Sequence, residues 1–277
     1  MTPIPPNSSF KKSPPPGLCE LPKKDPWSTP FAESLLSHLD LAEGAIILDV
    51  ACGDGIPAFY LAHRVGPNGR VIAIDRNEAQ LARARAVQGP YFPWLEFRHG
   101  DVRELPVDLG RFERITGNLS FMFFRPNRQE ALYQLVSFLK PGGQLVLTFP
   151  SLGTFDSLWE RVDREMGQHG LTHERQRLAD YVAERPSVGD AQEWLTDCGL
   201  DNVEVAEYPL EVETGSGPMF LNHPLLRGGF LDDVYECFTD QVLAESFMQT
   251  ISQDIQSFIP LIAQRGVISG WHPNPSS

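Results

Sequence analysis

Ile46-Ile47-Leu48-Asp49-Val50-Ala51-Cys52-Gly53-Asp54-Gly55-Ile56-Pro57-Ala58 decides how this chain is read. It opens as a short apolar run, the pattern of a strand buried on both faces. A turn of small residues follows. Pro57 then suits a first helical turn, because its φ is preset and no N–H is needed there. The glycines at 53 and 55 lack a Cβ, so a ligand can lie against bare backbone. The helix start beyond them offers free N–H groups and a positive dipole end to a carboxylate or phosphate. Strand, Gly-x-Gly turn and helix together make a nucleotide-type cradle.

Two ligand classes compete for it. Gly53-x-Gly55-x-x-Ala58 satisfies the dinucleotide fingerprint, and Asp75 lies 20 residues after Gly55, where a ribose-binding acid belongs. That reading makes the chain an NAD(P)-dependent oxidoreductase. A pyrophosphate, however, would be repelled by carboxylates at 49 and 54, whereas a zwitterionic amino acid carrying a sulfonium tolerates them. Leu48-Asp49-Val50-Ala51-Cys52-Gly53-Asp54-Gly55 resembles the first motif of the class I S-adenosylmethionine-dependent methyltransferases. The resemblance implies an α/β fold, a doubly wound, mostly parallel sheet with a helical cap, and S-adenosyl-L-methionine as cofactor. In that family the acid, here Asp49, ends the first strand. The loop of Ala51, Gly53 and Gly55 holds the methionine end.

The order of later pieces extends the resemblance over about residues 31–150. Asp75-Arg76 closes the second predicted strand, where the family places an acid on the ribose hydroxyls, and a carboxylate accepts from two vicinal hydroxyls at once. Gly100-Asp101-Val102 follows the third strand and resembles the adenine clamp, with the acid on the exocyclic amine and the next backbone N–H on a ring nitrogen. Gly117-Asn118-Leu119 ends the fourth strand at the family's active-site corner. Trp27, ahead of the first strand, matches a segment that often forms a lid. The chain departs from the pattern in offering Glu113 as the only acid near the start of the fourth strand and no His after Asn118. No catalytic residue is therefore named, and a cofactor-binding module without turnover stays open. Methyl transfer needs little beyond an aligned nucleophile, since positioning supplies roughly 7–11 kcal/mol of the barrier.

Lys plus Arg number 23 against 36 Asp plus Glu, and a net charge of −13 argues against nucleic-acid acceptors. The acceptor expected is a small molecule or a carrier-bound metabolite. Phe121-Met122-Phe123-Phe124 offers it an apolar wall, with Arg125 beside it for an anionic group. Four cysteines without C-x-x-C spacing, no apolar run long enough to span a membrane and no export signal point to a reducing, cytoplasmic setting. No metal site is expected. His169-x-x-x-His173-Glu174 has helical spacing, but Gly170 interrupts it and no third ligand is placed.

Four regions emerge. Residues 1–26 read as a disordered Pro-rich leader, 27–150 as the cofactor core, 151–270 as a helical substrate cap plus the final strands, and 271–277 as a flexible tail. Within them, Asn77 is placed to cap a helix ending at Gly89, and Lys140-Pro141-Gly142-Gly143 to break the helix of residues 126–139 before a fifth strand at 144–149. Ser187-x-x-Asp190 resembles a capping box, 203–206 an edge strand, and 216–229 a loop whose Phe220, Leu221, Leu225 and Leu226 are expected to help line an apolar acceptor mouth. Residues 230–259 show helical spacing, and 261–268 a last strand.

Overall fold

The computed structural model describes residues 14–22, 25–213, 215–223, 226 and 230–274. Its strands are β1 (Ile46–Val50), β2 (Arg70–Asp75), β3 (Leu95–His99), β4 (Phe112–Gly117), β5 (Leu139–Pro150), β6 (Asp201–Val212) and β7 (Leu261–Trp271). They form one seven-stranded sheet of order β3-β2-β1-β4-β5-β7-β6. β1 to β5 are parallel, with Asp49 level with Ala73 on one side and Thr116 on the other. Ile47, Leu48 and Val50 are wholly buried, which is why β1 reads as continuous rather than alternating hydrophobicity. β7 runs antiparallel to β5, because Gly142 and Gly143 pair with His272 while Ser151 meets Gln264. β6, with most side chains exposed or half-buried, is an edge strand, as the alternation at 203–206 predicts.

Two compact units divide the chain. The first comprises 1–148, 195–203 and 269–277, and the second 149–194 and 204–268. The first holds α1 (Pro16–Cys19), α2 (Ser28–His38), α3 (Ala58–Val65), α4 (Glu78–Gln88) and α5 (Arg128–Ser137). α3 and α4 pack on β1, β2 and β3 through Leu61, Ala62, Val65, Leu81 and Ala84. The side chain of Asn77 accepts from the N–H groups of Ala79 and Gln80, the cap that the sequence proposes for α4. Of the expected leader, residues 16–19 form a helical turn, while 1–13, 23 and 24 lie outside the described residues.

The helix before Lys140-Pro141-Gly142-Gly143 has already ended, at Ser137, but these four residues lie inside β5 rather than ahead of it. β5 already starts at Leu139, and the four residues bulge out between the Phe112–Leu139 and Arg114–Gln144 pairings. Gly142 supplies φ +71°, and a Cβ on Gly143 would stand 2.8 Å from the Lys140 carbonyl oxygen. A bulge of this kind needs both glycines.

The second unit holds α6 (Asp156–Gln168), α7 (Thr172–Ala183), the start of α8 (Val188–Asp197), α9 (Gly217–Leu221), α10 (Phe230–Glu236) and α11 (Gln241–Gln253). The capping box forms: Ser187 N–H donates to Asp190 Oδ2 at 2.9 Å, and Asp190 N–H donates to Ser187 Oγ at 3.0 Å. The helical stretch expected over 230–259 is split by Asp240, whose side chain caps α11. A helical turn, α9, stands inside the expected loop. Arg185 lies among Trp159, Tyr181 and Phe230, with its Cζ 4.6, 4.8 and 5.4 Å from their centroids. Arg161 bridges Glu165 and Asp254, and His169 Nε2 lies 3.2 Å from Glu165 Oε1. His169 is thus engaged within its own helix turn. Among the described residues no cluster of three or more His, Cys, Asp or Glu is arranged to hold a metal ion.

Asn77→Ala should lower unfolding stability by about 1 kcal/mol, the usual cost of a lost N-cap. Urea denaturation checks it, and an unchanged midpoint would show that the Asn77 contacts contribute nothing net.

Candidate functional site

The strand order reverses between β1 and β4, which leaves a crevice beyond their carboxyl ends. Asp49 stands at that point with no exposed surface. Its Oδ1 accepts from Thr116 Oγ1 at 2.7 Å, while Oδ2 is buried without a hydrogen-bond partner. Burial pushes the Asp49 carboxyl up to about 7, opposed by the Thr116 hydrogen bond and reinforced by the charge of Asp75. The neighbouring Cys52 thiol is also buried and pushed up, chiefly by desolvation, so it is no nucleophile.

Asp75 staples the turn to the sheet. Its Oδ2 accepts from the Gly53 N–H at 2.8 Å and its Oδ1 from the Asn77 N–H at 2.7 Å, while the Cys52 N–H donates to the Ile74 carbonyl. Each oxygen keeps a further acceptor site for a ligand hydroxyl. The two glycines do different work. Gly53 has φ +54°, and a Cβ there would meet nothing nearer than the Gln80 side chain at 3.8 Å, so the space beside it is open. At Gly55 a Cβ would press within 2.7 Å of the Phe59 ring and 3.1 Å of Phe97, so packing alone demands glycine. Ala51, also counted in the cradle, takes φ +52° without being a glycine. Asp54 is not a bare charge, because Arg83 pairs with it at 2.9 Å in an exposed bridge.

The other predicted residues are distributed as follows. Arg76 is exposed, and its carbonyl meets His99 Nε2 at 3.1 Å. Asp101 lies in the loop after β3, held by Arg103, and Val102, itself buried, opens a 3-10 turn. Asn118 lies at the end of β4, but its side chain is a brace: it accepts from Thr148 Oγ1 at 2.9 Å and donates to the Ser28 carbonyl at 3.0 Å. Trp27 precedes α2, half-buried, with its ring 4.8 Å from that of Phe31. Phe121 does not take its expected place at the acceptor. It has no exposed surface and meets Phe124 edge-on at 5.6 Å, so both rings are core rather than an acceptor wall. Phe220 and Leu226, expected to help line an apolar mouth, are likewise fully buried. Leu225 lies outside the described residues. Arg125 is exposed. Glu113 stands at the far end of β4, where it accepts from the Ile46 N–H and from Lys140 Nζ, and takes no part in the site. The sequence reading overlooked Thr116 and Thr148. Each is the lone hydroxyl of its strand, set in the buried stretch at its carboxyl end, and that was the available signal.

Residues 47–143 match the family of methyltransferase domains. By that match they carry a methyltransferase domain. The methyltransferase GfsG of Streptomyces halstedii is 31% identical over 117 residues, 42% of this chain and 42% of that one. A longer alignment joins the chain to the 27-O-demethylrifamycin SV methyltransferase of Amycolatopsis mediterranei, 26% identical over 222 residues, 72% of this chain and 80% of that one. The chain spans about two fifths of the length of relatives such as GfsG. In fold, it matches the crystal structure of a putative methyltransferase from Bacillus halodurans, with TM-score 0.57, 20% identity, 88% of this chain and 99% of that one. The cofactor of this domain class is S-adenosyl-L-methionine. The residues fit it: open space beside a positive-φ glycine, an orphaned carboxyl oxygen on Asp49, and acceptor capacity left on Asp75.

The buried Asp49 makes stability depend on pH. Its carboxyl is raised in the fold from an unfolded value near 3.8 to about 7. The native state therefore keeps a proton that the unfolded chain has lost, and stability falls as pH rises through that window. Asp49→Asn cannot ionise, so its stability relative to the parent should grow from pH 4 to pH 7. Parallel thermal melts at each pH check the sign, and a constant difference would mean that folding does not raise the Asp49 carboxyl.

Gly53→Ala and Gly55→Ala should separate the two glycines. Both incur the positive-φ cost of about 1–2 kcal/mol, but only Gly55→Ala also clashes with aromatic rings and should melt lower. Gly53→Ala should instead lose affinity for S-adenosylhomocysteine. Equal losses of stability in the two variants would refute the division.

Proposed function

We propose that the chain is an S-adenosyl-L-methionine-dependent methyltransferase that moves a methyl group to a small acceptor by in-line displacement. The observation that carries this is the unpartnered Asp49 oxygen beside the open Gly53 turn, at the point where the strand order of a methyltransferase domain reverses. When bound, the cofactor supplies an electrophilic methyl carbon on a sulfonium. Asp49 offers its free oxygen to the amino-acid end, and the backbone of Ala51, Gly53 and Gly55 shapes the turn around it. Asp75 takes the ribose hydroxyls, with Arg76 flanking it. Asp101 and Val102 face the nucleobase. Asn118 holds the end of β4 against the start of α2, and Trp27 and Arg125 are the side chains that we assign to the acceptor. Two carboxyls close enough to couple, Asp49 and Asp75, suit a cationic amino acid better than a pyrophosphate, which weighs against the nicotinamide alternative.

The acceptor class follows from two facts. The rifamycin enzyme is named for a small-molecule acceptor, and the chain's charge of −13 opposes polyanions. We place the reaction in the cytoplasm. All four cysteines are free, and no helix among the described residues is long and apolar enough to cross a membrane.

Calorimetric titration tests the assignment. S-adenosylhomocysteine should bind, and NAD should not. Asp75→Asn should weaken the first by about tenfold or more while the protein still melts cooperatively, because hydrogen bonds to a charged group contribute about 1.5–3 kcal/mol. Binding of NAD without S-adenosylhomocysteine would reverse the assignment.

A further inference from the structure

Asp101 is not waiting with both oxygens open. Its Oδ1 accepts from the backbone N–H of Arg103 at 2.9 Å and from Arg103 Nε at 2.9 Å, and its Oδ2 accepts from Arg103 Nη2 at 2.5 Å. A carboxylate has about four lone-pair sites, so these contacts leave one, on Oδ2. The remaining arm of the same guanidinium, Nη1, donates to the Arg125 carbonyl at 3.3 Å. Arg103 therefore ties the loop after β3 to the loop after β4 and fixes the rotation of the Asp101 carboxyl between them. The same grip holds that carboxyl down at about 2, with the Arg103 hydrogen bonds as the largest cause. A lysine could not do this, because an ammonium is a point charge without a planar fork.

We propose that Arg103 is a positioning residue for nucleobase selection: it fills three acceptor sites of Asp101 and aims the one left at a single N–H donor, as a 6-amino purine presents. The inference rests on the reading of this domain as a binder of S-adenosylmethionine. A 6-oxo purine places an acceptor where the amine would be, and a carboxylate held in one rotation repels it. Once freed to turn, the carboxylate can avoid that oxygen, or reach the ring N–H instead, and discrimination falls.

The test compares S-adenosylhomocysteine with its 6-oxo analogue, S-inosylhomocysteine, by calorimetry on the parent, Arg103→Gln, Arg103→Lys and Asp101→Asn. The parent should prefer the amino form. Arg103→Gln and Arg103→Lys should both shrink that preference by about two- to fivefold, the scale of an exposed ion pair. Arg103 has a 42% exposed side chain, so melting temperatures should stay near that of the parent. Preference kept in Arg103→Lys would show that charge alone matters and overturn the fork. Preference kept in both Arg103 variants but lost in Asp101→Asn would overturn the role of Arg103 while leaving the cofactor assignment standing. Failure of the parent to bind either compound would strike the cofactor assignment itself, and this inference with it.

Discussion

A buried carboxyl meeting a hydroxyl across β1 and β4 is the constraint on which this structure turns. Asp49 and Thr116 face each other at the reversal of strand order, and their 2.7 Å hydrogen bond is formed with Asp49 fully out of water. Burying an acid is unfavourable unless it is neutral or well bonded, and here only one oxygen has a partner. The fold thus holds an unsatisfied acceptor at the place where a doubly wound sheet opens its crevice. Groups left in this condition are more common in sites than in cores, because a site has a ligand to complete them.

Around that carboxyl the backbone carries further cost. Ala51 and Leu119 lie in the left-handed region, at φ +52° and +54°, one after β1 and one after β4. Each costs a non-glycine residue about 1–2 kcal/mol. Asp75 holds the first of these turns by accepting from Gly53, and Thr148 holds the second by accepting from the Leu119 N–H at 3.0 Å. Strain that is held by side chains from neighbouring strands marks a loop whose shape matters more than its ease of folding.

Arginines act in this chain as cross-links rather than as free charges. Arg103 joins two loops, Arg161 sits between Glu165 and Asp254, and Arg185 is enclosed by three aromatic rings. Their planar, multi-donor heads make several directed contacts at once, which explains how so acidic a chain positions its few cations. An exposed pair such as Arg103–Asp101 contributes little to stability singly, so its effect is on geometry.

Local sequence signals were enough for the order of strands and helices, the Asn77 cap, the Ser187–Asp190 box and the glycine turn. Each of these depends on residues within a few positions of one another, where φ preference and hydrogen-bonding reach decide the outcome. The resemblance also singles out the acids at 49, 75 and 101, which lie near the carboxyl ends of β1 and β2 and in the loop after β3. Tertiary structure alone decided the rest. The burial of Phe121 and Phe124, the engagement of Asn118 with Ser28 and Thr148, the bulge at Lys140–Gly143 and the insertion of β7 between β5 and β6 join residues far apart in the chain. An aromatic run has the same pattern whether it lines a mouth or fills a core, and an amide has the same chemistry whether it faces a ligand or a carbonyl. Only the packing of distant strands, which sets what water can reach, distinguishes them.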